Sequence, residues 1–214
     1  LEGLFGAVEK VVTTKELIDK NTLADLKIKC IILKHPNIRE KMDYAEELEY
    51  IVTNKQRLDF VCNLLRHLRG NTLCLFQLVE KHGKILNDRM KEEENVYFVY
   101  GGTDTSAREK IRGLVETHSK STTIASFGVF STGINIRNIN NIVLASPSKS
   151  KIRVLQSIGR GLRTSSTKDS VLVYDIADDI SYNERRNFTL NHFTERLNIY
   201  NEEQFDYDIS RVKL

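Results

Sequence analysis

Short, largely apolar runs separated by segments of helical spacing recur along this chain, and they constrain its fold more than any other feature. The runs are TLCLF (72–76), VYFVY (96–100), TTIAS (122–126), NIVLAS (141–146) and SVLVYDI (170–176). A strand with one wet face alternates apolar and polar residues, whereas a near-continuous apolar strand is covered on both faces. Strands alternating with helices imply an α/β fold, a parallel sheet with helices on both faces and right-handed crossovers. In such sheets, ligands gather beyond the carboxyl ends of the strands. Residues just after each strand therefore carry the most weight.

The segments between the runs read as helices. From Asn54 to Arg69 the apolar positions Leu58, Val61, Cys62, Leu65 and Leu68 fall at helical spacing, and Gly70 supplies a stop. VEKHGKILNDRMKEE (79–93), SAREKIRGLVETH (106–118) and the stretch from Asn183 to Leu197 read the same way. Ser106 and Glu109 have capping-box spacing. Gly101-Gly102 reads as a turn. Nearer the start, AVEKVV (7–12) reads as a strand, and Thr13 with Glu16 opens a short helix. LKIKCIIL (26–33) is a second strand, ended by Pro36 and followed by a charged segment to Tyr50. We expect residues 1–52 to be a linker segment and 53–214 one compact domain. A chain of 214 residues can bury a core without disulfides or metal.

Composition narrows the class. Charged residues make up 29% and hydrophobic residues 40%, as in ordinary globular proteins. The formal charge of +3 is too small to act as a global field, so a nucleic-acid partner would need a local basic patch. Cys30, Cys62 and Cys74 lie apart among apolar neighbours and read as reduced core thiols of a cytoplasmic protein. His35, His67, His82, His118 and His192 are scattered, without metal-ligand spacing. No apolar run approaches the ~20 residues of a membrane span.

The chemistry concentrates in VLQSIGRGLR (154–163). On a helix at about 100° per residue, Leu155, Ile158 and Leu162 share one face. Gln156, Gly159, Arg160 and Arg163 share another. The apolar stripe packs on a sheet while the arginines point out of the domain. Gly159 and Gly161 cost about 1 kcal/mol each in a helix interior and let a partner approach the backbone. A guanidinium is always charged and clasps two phosphate oxygens at once. Yet the chain has no G-x-x-x-x-G-K-[ST] phosphate loop and no acidic D-E-x-H or D-E-x-D motif. These arginines suit a phosphate that the chain itself has no loop to hold; a surface helix with solvated arginines is the other reading.

QSIGRGLR resembles the last signature motif, Q-x-x-G-R-x-x-R, of the superfamily-two helicases. ASFGVFSTGINI (125–136) resembles the motif before it, running from a strand through a small-residue turn to G-x-D. TLCLF resembles the strand that opens the second motor domain. The resemblance implies a RecA-like second domain facing a first domain across a cleft that binds ATP and Mg²⁺. LEGLFG, at the start, resembles the segment that follows the first domain, so a missing first motor domain in the same polypeptide is expected.

By the same resemblance Arg163 is the arginine finger on the γ-phosphate, with Arg160 beside it and Gln156 sensing the nucleotide. Gly133 and Asn135 fall at G-x-D, where ribose and inter-domain contacts are made, and Gly159 lies in the nucleotide-facing helix. The family more often has Asp at the place of Asn135, so a plain turn residue is an equal reading. Ser126 falls where a hydroxyl touches the DNA backbone, or else it caps its turn. Lys149, Lys151 and Arg153 form a basic run that contacts DNA or is solvated. Lys81 follows the first core strand and suits a phosphate contact. Arg108 contacts the nucleic-acid backbone or pairs with Glu116 or another neighbour. The implied function is an ATP-dependent DNA helicase or translocase. A non-catalytic binding module, an RNA helicase and a restriction translocase share these motifs and stay open from sequence alone.

Overall fold

A computed structural model describes residues 25–36, 38, 40–132, 138–147 and 170–214. Among these residues seven strands form one sheet: β1 (Asp25–Lys34), β2 (Asn71–Phe76), β3 (Val96–Val99), β4 (Ser121–Ser126), β5 (Ile139–Leu144), β6 (Ser170–Asp179) and β7 (Asp206–Lys213). Their order is β3-β4-β2-β5-β6-β1-β7, and every pairing is parallel. This is the parallel sheet that the apolar runs imply, and the RecA-like arrangement that the family resemblance implies.

Two apolar layers follow from the two-residue period of the strands. On one face Ile28, Cys30, Leu73, Leu75, Ala125, Ile142 and Val173 meet α4 (Thr105–Thr117) and α6 (Phe188–Glu202) through Val115, Leu190 and Phe193. On the other face Ile31, Leu33, Cys74, Phe76, Ile124, Val143 and Ile176 meet α2 (Lys55–His67) and α3 (Lys84–Met90) through Leu58, Val61, Leu65, Leu86 and Met90. The three cysteines are free and buried, as expected of core thiols. Burial pushes the Cys74 thiol up to about 12, so it is inert at neutral pH.

Helix ends differ from the sequence reading where a cap was misplaced. α4 starts at Thr105 because Asp104, not Ser106, is its cap: the Asp104 carboxylate accepts the Ala107 N–H at 2.8 Å. Ser106 instead donates its hydroxyl to Asp104 at 3.0 Å. The charged segment before Tyr50 contains a helix, α1 (Tyr44–Thr53). Asp43 and Glu46 close a capping box there, and only Glu47, Ile51 and Val52 turn inward, too narrow a stripe to stand out. α6 begins at Phe188 rather than Asn183, because Asn183 and Glu184 take positive φ of 47° and 63° in a tight turn. The start of α6 is held from another helix: the buried Glu47 carboxylate accepts the Phe188 N–H at 2.9 Å and also that of Thr189. Its charge sits at the positive end of the α6 dipole.

β1 corrects the boundary at residue 53. It lies between β6 and β7 and pairs with both along its length, so residues 25–34 belong to the sheet, not to a linker. β7 was not foreseen, because its exposed, mixed sequence DYDISRVK lacks an apolar face. The strand and helix expected over residues 7–24 lie outside the described residues. Gly70 does take a left-handed φ of 78°, and a Cβ there would stand 2.5 Å from Asn140 Oδ1, which accepts the Asn71 N–H at 2.9 Å.

β6 carries a buried carboxylate to each face. Asp175 accepts from Arg196 of α6 at 2.8 Å and from the Tyr200 hydroxyl at 2.8 Å. Asp178 accepts from Arg57 of α2 at 2.8 Å. A buried charge stripped of its partner costs about 3–5 kcal/mol. We expect Arg196→Met to lower the unfolding free energy by about that amount. Arg196→Met with Asp175→Leu should recover most of the loss, as measured by urea denaturation.

Candidate functional site

Three of the residues singled out from sequence lie at or just after the carboxyl ends of the neighbouring strands β3, β4 and β2. Ser126 is the last residue of β4, pairs in register with Phe76 of β2, and is 8% exposed. α5 (Phe127–Thr132) begins at the next residue, so a helix follows where a small-residue turn was expected. Lys81 lies in the connection after β2 and is exposed. Arg108 lies in the first turns of α4, after β3, and its guanidinium folds back over the Gly101-Gly102 turn. It donates to the Gly101 carbonyl at 3.1 Å. The expected pairing of Arg108 with Glu116 is not formed; Glu116 pairs with Arg112 at 3.4 Å. Spacing decides this, because Arg112 and Glu116 are one turn apart on α4.

The connection after β2 is a π-helical turn, Val79–Gly83, that runs into α3. The Leu78 carbonyl accepts the N–H groups of both His82 (3.1 Å) and Gly83 (2.9 Å), which widens the turn. The widened turn sends neighbouring side chains opposite ways. His82 is fully buried, and Lys81 reaches solvent to pair with Glu49 at 2.7 Å. Both members of that pair are more than half exposed, so it is worth about 0–1 kcal/mol and is readily exchanged for another anion.

Beneath this edge lies a polar layer that the sequence did not reveal. Arg57 is completely buried; its Nε donates to Asp178 at 2.8 Å and its Nη2 to the Ala145 carbonyl at 2.7 Å. His35 Nε2 hydrogen-bonds the same Asp178 oxygen at 2.8 Å. Burial alone would raise the Asp178 carboxyl. The Arg57 charge and the hydrogen bonds from His35 and Arg57 outweigh it and hold the group below its ordinary value. Ser146, just past β5, takes the Gln77 N–H at 3.1 Å and hydrogen-bonds His82 Nδ1 at 2.9 Å. Burial first, and the nearby Arg57 charge second, push His82 down to about 3, so its imidazole is neutral. One signal for this layer was present. Arg57 stands on the apolar stripe of α2, one turn before Val61 and two before Leu65.

A cavity of about 210 Å³ elsewhere, lined by Met42, Ile180, Arg185 and Phe188 among others, contains none of the expected site residues. Gln156, Gly159, Arg160 and Arg163 lie outside the described residues, as do Gly133, Asn135, Lys149, Lys151 and Arg153. The β5 exit at Ser146 leads toward them along the chain.

The described residues define a parallel RecA-like sheet with polar residues along its carboxyl edge, and the sequence places the chain in a family of that fold. Residues 56–165, a span that includes the Q-x-x-G-R-x-x-R segment, match the helicase conserved C-terminal domain. The chain belongs to that family, as a superfamily-two helicase C-terminal domain. It is 35% identical over 231 residues to the ATP-dependent DNA helicase uvsW of Enterobacteria phage T4. That alignment covers 99% of this chain and 46% of the phage protein, so the chain spans under half of its relative's length. The crystal structure of T4 UvsW superposes with a TM-score of 0.76 at 34% identity, over 89% of this chain and 42% of that one. The C-terminal domain of the DEAD-box protein Dbp5 shares the fold alone, at 15% identity and a TM-score of 0.59, over 89% of this chain and 90% of that domain.

The neutral His82 has a measurable consequence. Unfolding restores an ordinary histidine pKa near 6.5, so the unfolded chain binds a proton that the folded one refuses. Between pH of roughly 6.5 and 3, this group removes stability as pH falls, at about 1.4 kcal/mol per pH unit. His82→Gln should flatten that part of the pH dependence of the urea midpoint relative to the unsubstituted protein. An unchanged slope would mean that His82 is protonated in the folded state.

Proposed function

We propose that this chain is the second motor domain of an ATP-dependent DNA helicase or translocase that works on branched DNA: forks, junctions and R-loops. The observation that carries the reading is the 35% identity to an ATP-dependent DNA helicase along 99% of the chain. The reading supplies what the arginine motif lacks, because a preceding motor domain in the same polypeptide would hold the nucleotide. Mg²⁺ would accompany ATP on that domain. The setting is the cytoplasm of a phage-infected bacterium.

In this reading Arg163 reaches across the cleft to the γ-phosphate, Arg160 sits beside it, and Gln156 reports which nucleotide is bound. Gly133, Asn135 and Gly159 line the nucleotide side. A forked guanidinium placed on the transferring phosphoryl group contributes about 10³–10⁵ in rate, or ~4–7 kcal/mol. The carboxyl edge of β3, β4 and β2 faces the nucleic acid, with Ser126, Lys81 and Arg108 toward phosphate oxygens and Lys149, Lys151 and Arg153 extending the basic run. Lys81 is suited to this, because a phosphate can displace the exposed Glu49 carboxylate at little cost. Contacts of this kind grip the backbone and carry no base information. Closure and opening of the cleft then moves that grip along the strand.

In the full-length protein, Arg163→Ala should lower DNA-stimulated ATP hydrolysis by at least about 10³-fold while leaving the thermal midpoint unchanged. The isolated chain should show no hydrolysis above background. Turnover of Arg163→Ala within a few-fold of the unsubstituted protein, or robust turnover by the chain alone, would overturn the assignment. Steady-state phosphate release on forked DNA, R-loops and RNA duplexes measures both and ranks the substrates.

A further inference from the structure

We propose that Ser146 and His82 are positioning residues that tie the phosphate-facing turn after β2 to the chain segment leading to the arginine motif. The inference rests on the motor function proposed above.

A single hydroxyl joins the two elements. Ser146 Oγ accepts the N–H of Gln77, the first residue after β2, at 3.1 Å, and bonds His82 Nδ1 within the π-helical turn at 2.9 Å. Lys81 lies between those two anchor points in sequence, so the loop that carries it is pinned at both ends to one oxygen. That oxygen is itself rigidly placed. The Ala145 N–H donates to the Leu75 carbonyl at 3.0 Å, which carries the β5–β2 pairing up to Ser146. Pro147 follows, and a residue before proline is confined to extended backbone. The direction in which the chain leaves β5 at Ser146 and Pro147 is thereby coupled to the Ser146 side chain.

The turn has no slack to absorb a displacement. A Cβ on Gly83 would stand 2.4 Å from the Phe76 ring, so the turn lies directly on the end of β2. His82 is fully buried and Ser146 is 2% exposed. Water cannot replace the bond when it breaks. A phosphate that draws Lys81 outward therefore pulls on His82, and through it on Ser146 and the exit of β5. The neutral imidazole makes this a link that salt does not screen, unlike the Lys81–Glu49 pair on the surface.

The test uses the full-length protein and ATP hydrolysis with and without forked DNA. Ser146→Ala and His82→Leu should leave the DNA-free rate within about twofold of the unsubstituted protein. Each should lower the rate at saturating DNA by about tenfold, the worth of one hydrogen bond, with the half-saturating DNA concentration little changed. The double variant should be no worse than either single one, and His82→Asn, which keeps a polar group near Nδ1, should restore stimulation. The inference fails if the DNA-free and DNA-stimulated rates fall together, as a merely structural defect would cause. It fails also if stimulation is unaltered or the two losses multiply. An unsubstituted protein without DNA-stimulated hydrolysis would overturn the motor function and the inference together, whereas normal stimulation that survives Ser146→Ala overturns the inference alone.

Discussion

β6 places Asp175 and Asp178 on opposite faces of the same strand, and the rest of the domain is arranged around those two buried charges. Each is tolerable inside the protein only because a helix delivers a guanidinium to it. α6 brings Arg196 to one face and α2 brings Arg57 to the other. Apolar packing alone permits a helix to slide or rotate by a residue; a buried ion pair does not, since a small shift leaves a charge without a partner. The pairs therefore fix how both helix layers sit on the sheet. Arg57 extends the effect by reaching the Ala145 carbonyl at the exit of β5. The position of α2 and the end of β5 are set by one side chain.

The same edge shows a division of labour by depth. Exposed Lys81 and half-buried Arg108 hold a weak partner and a backbone-directed one respectively, and Lys81 is free to trade its own. Buried residues just beneath, Arg57, Asp178, His35, His82 and Ser146, are locked in hydrogen bonds that span β1, β5, β6, α2 and the turn after β2. A surface of exchangeable contacts on a rigid polar floor suits repeated grip and release of a charged backbone.

How much of this could be read from sequence depended on whether the determining interactions were local. The runs 72–76, 122–126 and 141–146 announced buried parallel strands because burial on both faces writes itself into composition. α2 announced itself through its apolar stripe; the Asn54 cap, which accepts the Arg57 N–H at 3.0 Å, emerges only in the structure. β7 was silent because an exposed edge strand has no apolar face to display, and α1 because it buries little. The membership of β1 in the central sheet was hidden for a different reason: its partners lie more than a hundred residues downstream. The polar floor was hidden likewise, since His82 meets Ser146 across 64 residues and Arg57 meets Asp178 across 121. The Q-x-x-G-R-x-x-R motif was legible as a pattern, whereas its arginines lie beyond the residues on which structure bears.

The place of β1 between β6 and β7 also sets the order in which the sheet can be completed. Lys27 pairs with Leu172 on one side and Asp206 on the other. Contacts so far apart in sequence must wait for the intervening chain to close, which slows folding. During synthesis, the strands β2 to β5 emerge long before β6 exists to join them to β1. The isoleucine-rich strand KCIIL (29–33) then waits with both of its edges unpaired, a state prone to the wrong partners. That hazard ends only when β6 and β7 have both been made and have joined its two edges.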